Sequence, residues 1–178
     1  MLPAVCCLLL AFPSCKQKNI YSEEISKLDS SKTALSIAQK NIANTLASDS
    51  IAIALLSKSL EEIKAHLPSD TVNKQTGAVL SEISNLKSMI TDLMQYRTNY
   101  VRASEKSLER INSLQHDLKE NLIEDNNKAR EYIVNETNAL TKIITELKLI
   151  KELSRVSSNK LDSLRPRITF VIDSLNSK

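Results

Sequence analysis

The chain has 178 residues, with a single glycine, no tryptophan, two phenylalanines and four tyrosines. Glycine-rich phosphate loops, dinucleotide fingerprints and tight type I′ turns need residues this chain lacks, and it is equally poor in the aromatic platforms that bind single-stranded nucleic acid. Lysine and arginine number 24 against 21 aspartates and glutamates, a net charge of +3, too mild to argue for nucleic acid as a partner.

The first element is an apolar run, Leu2–Phe12. It is too short to span a bilayer as a helix and fits the hydrophobic region of an export signal. Cys6, Cys7 and Cys15 all lie within or next to this run and no cysteine follows, so the folded part holds neither a disulfide framework nor a cysteine zinc site. The run ends in Phe12-Pro13-Ser14-Cys15, followed by Lys16-Gln17-Lys18. An apolar run, a small residue and then cysteine resembles the bacterial lipobox. That resemblance implies cleavage between Ser14 and Cys15 and lipidation of Cys15. Phe12 and Pro13 stand where Leu-Ala or Leu-Ser is usual. No basic residue precedes the run, as it would if translation started upstream of Met1. On this reading residues 1–14 are a lipoprotein signal peptide, 15–19 a lipidated tether and 20–178 a helical bundle domain. Multiple acyl chains would anchor the protein, each buried methylene contributing about 0.8 kcal/mol.

Beyond the tether, apolar residues recur three and four apart, the period of an amphipathic helix. The first stripe runs Tyr21, Ile25, Leu28, Leu35, Ala38, Ile42 and Leu46, then in phase through Asp49 to Ile53, Leu56, Leu60, Ile63 and Leu67. Ser48-Asp49-Ser50 interrupts it but holds no glycine or proline, so the stripe reads as one long helix, with a kink or short loop at 48–50 as the alternative. Pro68 and the polar run closing at Gly77 predict an interhelical loop. The second stripe runs from Val79 through Ile83, Leu86, Ile90 and Leu93 to Leu122 and weakens over Arg97–Ser107, which suggests a loose middle. Glu124-Asp125-Asn126-Asn127 is a second break rich in capping residues. The third stripe runs from Ile133 to Leu164. Pro166 is expected to kink or restart it, before Ile168, Val171, Ile172 and Leu175 complete it.

Three pieces of roughly equal length joined by short loops predict an all-α, elongated antiparallel three-helix bundle, each helix about 70 Å long. Breaks at 48–50 or near 103 would give a shorter four- or five-helix bundle instead. No alternating strand pattern appears.

Reactive constellations are scarce. His66 stands at an expected helix end and His116 on a polar face, neither with a repeating metal-ligand spacing. No serine sits on a glycine elbow. Asp125-Asn126-Asn127 begins like a calcium loop but lacks its glycine and closing glutamate, so a helix cap is the better reading. An enzyme, a cofactor and a metal are therefore not expected. Two basic stripes stand out: Arg102, Lys106 and Arg110, and Lys148, Lys151 and Arg155. They fit a docking surface for an acidic partner. They also fit a solvated face, which Glu105, Glu109 and Glu152 among them favour.

An apolar signal ending in Ser14-Cys15-Lys16, followed by a cysteine-free chain rich in Lys, Asn, Ile and Ser, resembles the helical outer-surface lipoproteins of Borrelia-type spirochaetes. The resemblance covers the chain at the level of class and no ligand-binding motif of a member is matched. It implies a protein lipid-anchored at the outer membrane and exposed on the surface. It also implies a non-catalytic role, binding a host macromolecule such as a complement regulator or a matrix component. The alternative is a periplasmic structural or adaptor lipoprotein that binds a cell-envelope protein.

Overall fold

The computed structural model describes residues 20–67 and 73–177. Three helices account for nearly all of them: α1 (Ser22–Ala65), α2 (Lys74–Lys119) and α3 (Asn126–Asn176). Each helix packs on both others, forming the elongated three-helix bundle expected from the apolar stripes. At a rise of 1.5 Å per residue, the 44 residues of α1 make a rod about 66 Å long.

The stripes sharpen into heptads. Tyr21, the residue before α1, and then Leu28, Leu35, Ile42, Asp49, Leu56 and Ile63 on α1 are buried at successive seven-residue steps. Thr76, Ile83, Ile90, Arg97, Ser104, Ile111 and Leu118 do the same on α2, and Ile133, Leu140, Leu147, Ser154, Leu161 and Ile168 on α3. A seven-residue repeat keeps one seam facing the partner helices along the whole rod, as in coiled coils. Interhelical hydrogen bonds fix the register. Tyr21 bonds Asn126 and Ser154 bonds Asp49, both across a separation of 105 residues, so α1 and α3 run parallel in one constant offset. Lys32 meets Gln115 and Gln39 meets Ser104, so α2 runs antiparallel to α1.

Both places where the sequence allowed a break are helical. The α1 helix continues unbroken through Ser48-Asp49-Ser50, and α2 continues through 97–107. The shorter four- or five-helix alternative therefore does not form. In both places polar residues sit on the core seam rather than ending the helix. The third helix likewise passes through Pro166 without restarting. Pro166 is exposed, where the hydrogen bond its missing N–H forfeits can be replaced by water at the open carbonyl.

The helix ends show how a chain with one glycine makes its turns. Gly77 does not close the loop: it lies in the first turn of α2, its N–H donating to the Asn73 carbonyl at 3.0 Å. Asn73 caps that helix, its side chain accepting from the Thr76 N–H at 2.8 Å. At the other end of α2, Asn121 adopts a left-handed φ of 53°, and the Leu122 N–H donates back to the Asp117 carbonyl at 2.9 Å. This is a Schellman turn, with asparagine taking the place usually held by glycine. Asp125 then caps α3 by accepting from the N–H groups of Asn127 and Lys128, as read from the sequence.

Candidate functional site: a buried polar layer between two apolar cores

The interior is not one continuous apolar seam. Near the α2–α3 turn, one cluster gathers Leu28, Leu35, Ile42, Ile111, Leu118 and Leu140 with their neighbours. Towards the other end, a second gathers Leu56, Ile63, Ile83, Ile90, Leu161 and Ile168. Between them the heptad positions are polar: Asp49 on α1, Arg97 on α2 and Ser154 on α3.

These three side chains meet. The Arg97 Nη2 donates to the Asp49 carboxylate, to Thr45 Oγ1 at 2.9 Å and to Ser154 Oγ at 3.3 Å. The Ser154 hydroxyl in turn donates to Asp49 Oδ2 at 3.3 Å. Both partners of the ion pair are almost sealed from solvent, their side chains 5% and 6% exposed. Small residues make the room: Ser104, Ser107 and Ser157 occupy buried seam positions near this level, where the flanking clusters carry leucine or isoleucine. Gln39 extends the polar region by donating to Ser104 Oγ.

The energetic character of the layer follows from its incomplete satisfaction. A buried charge pair must recover two desolvation costs through mutual attraction and hydrogen bonds. Here Arg97 Nε and Nη1 find no protein partner, and a buried donor left unpaired costs about 1–3 kcal/mol. The layer therefore spends stability on specificity. In a register with α1 and α2 shifted by one heptad, Asp49 and Arg97 no longer meet, and Arg97 lies level with Ile42 or Leu56 with no counter-charge. Sliding α1 or α2 by a heptad parts the two ions, whereas sliding α3 removes only the Ser154 hydroxyl from the pair.

A second polar contact lies nearer the α1 N-terminus. Buried Gln115 donates to the Ile25 carbonyl at 3.2 Å and to Asp29 Oδ1 at 3.0 Å, and accepts from Lys32 Nζ at 3.0 Å. The Gln115 hydrogen bond holds the Asp29 carboxyl below its ordinary value, and Lys32 and Lys119 add to the effect.

The residues singled out from the sequence are dispersed. Ser14 and Cys15 lie outside the described residues, as do the proposed signal and tether. Arg102 and Lys106 are exposed on α2. Arg110 turns toward α3, donating to Glu136 at 2.7 Å, a bond that raises its pKa further. Lys148 and Lys151 border a groove between α1 and α3 lined by Ala34, Ile37 and Asn41. Arg155 is paired with Glu152 of its own helix. Arg110 is thus tied to α3, while Lys148 and Lys151 border the α1–α3 groove. His66 and His116 are exposed, and the His66 Nδ1 donates to the Glu62 carbonyl at 2.9 Å, a local helix-end contact. Among the described residues no group of three or more His, Cys, Asp or Glu side chains is placed to hold a metal.

Asp49, Arg97 and Ser154 were not among the sequence candidates. Their signal was present: a carboxylate and a guanidinium of opposite sign, each on the core seam of its helix. No protein-family model, curated protein or solved structure matches the chain.

Proposed function

We propose that this chain is a non-catalytic surface protein, attached to the bacterial outer membrane through lipid on Cys15, which uses the outer faces of its rod to bind a host macromolecule. The observation that carries the reading is the combination of the Ser14-Cys15-Lys16 end with a long three-helix rod. No described helix is long and apolar enough to cross a membrane, so in this reading attachment falls to the lipid. The register-locked core supports a binding scaffold, because a rod held in one alignment keeps its outward side chains at fixed spacing. The choice of a host complement regulator or matrix component rests on the class resemblance.

Three measurements test it. Radiolabelled palmitate should enter the wild-type chain and not Cys15→Ala; equal incorporation overturns the anchor. Protease added to intact cells should degrade the protein. Survival overturns surface exposure and favours the periplasmic adaptor. The purified protein should capture a component of host serum or matrix, and failure to retain any removes the binding role.

A further inference from the structure

The outward face of α1 differs from every other face of the rod. From Asn41 to Ser57 the only charged residue is Asp49, which is buried. Ala43, Asn44, Ala47, Ser50, Ile51 and Ala54 on this stretch are all exposed. Ile51 is 65% exposed, and nearby Ile37 is 58% exposed. Charged residues are a quarter of the chain, so an exposed segment of this length without one calls for a physical account. A surface helix normally carries charge on its solvent side, and contiguous exposed apolar surface marks contact sites.

We infer that this face is a self-association surface, on which a second copy of the chain packs its own α1 antiparallel, about a two-fold axis between Ser50 and Ile51. The charges at the ends of the uncharged stretch choose both the occupant and its direction. Lys40 and Glu61 lie on the same outward row as Ala47 and Ala54, at seven-residue steps, and both are exposed. Neither makes an ion pair within the chain among the described residues. They are equidistant from the midpoint between Ser50 and Ile51. Antiparallel pairing about that midpoint therefore sets Lys40 of each copy against Glu61 of the other, and Ala47 against Ala54. Parallel pairing sets lysine against lysine and glutamate against glutamate. On the two flanking rows the same operation sets Ile51 against Ser50, Asn44 against Ser57 and Lys58 against Ala43. No like charges meet. A two-fold interface must be complementary to itself in this way, each residue meeting a counterpart whose relation is reciprocal. The alanines and serines along the row let the two helices approach closely, and the isoleucines are removed from water.

Sedimentation equilibrium of the full chain in a nonionic detergent, across a range of concentration, tests the inference. The wild-type chain should reach a dimer and go no further. Ile51→Lys should remain monomeric over the same range. Lys40→Glu turns two attractions into two repulsions and should raise the dissociation constant about tenfold. The double variant K40E/E61K restores opposite charges and should return to within about threefold of wild type. All three substitutions are on exposed positions, so helical circular dichroism should be unchanged. A monomeric wild-type chain overturns the inference. So does association that is insensitive to Ile51→Lys and Lys40→Glu, because that pattern belongs to the N-terminal apolar run. A double variant as weak as Lys40→Glu overturns the antiparallel alignment.

Discussion

One heptad separates two layers of this bundle that share a geometry and differ in chemistry. Leu56, Ile90 and Leu161 are buried members of one apolar cluster. Seven residues along each helix, Asp49, Arg97 and Ser154 are equally buried and hydrogen-bonded to one another. The apolar layer holds the helices together but distinguishes one alignment from the next only weakly, since leucine and isoleucine recur at most steps. The polar layer does distinguish them, because the two buried charges meet only in the observed alignment. Cohesion and alignment thus reside in different layers. The rod needs both, since three long helices with uniform seams have many near-equivalent registers.

The largest expected effect comes from breaking the polar layer on one side only. Asp49→Ala leaves the Arg97 charge buried with only hydroxyl partners and should destabilise the protein by about 3–5 kcal/mol, read by urea denaturation. Leu56→Ala, the matched change in the apolar layer, should cost about 2–5 kcal/mol through lost transfer energy and the cavity left behind. Its signature differs: the penalty should shrink with Leu56→Met, which refills the volume, whereas Asp49→Asn, though of the same size, should stay costly for want of charge. Outside both layers effects fall. Asn73→Ala removes the cap on α2 and should cost about 1 kcal/mol, visible as a small shift in the denaturation midpoint. Smallest is the exposed pair between Arg167 and Glu82. Arg167→Ala should change stability by less than about 1 kcal/mol, and the change should vanish in high salt.

Much of this architecture was legible in the residues. Apolar recurrence located three helices, and Asp125 announced itself as a cap. What the sequence obscured has one physical origin. Ser48-Asp49-Ser50 and Arg97–Ser107 look like weak points when each stripe is read alone, because a polar residue on a seam is costly in isolation. Asp49 and Arg97 are 48 residues apart, and each becomes tolerable only through the other. A single stripe holds no information about that partner; two stripes compared do, since both interruptions fall on seam positions and carry opposite charge. Gly77, expected to close the α1–α2 loop, instead sits within the first turn of α2, because Asn73 caps that helix ahead of it. The candidate binding stripes were visible as charge patterns, but which of their members border a groove or pair across helices depends on how the helices pack.

The central claim is that the Asp49–Arg97–Ser154 layer sets alignment at a cost in stability. Its most direct test is urea denaturation of the triple variant D49L/R97L/S154L beside wild type. The variant should be more stable, by about 1–4 kcal/mol, because well-packed apolar groups replace an incompletely satisfied ion pair. A triple variant less stable than wild type would contradict the account and make the polar layer a source of cohesion in its own right.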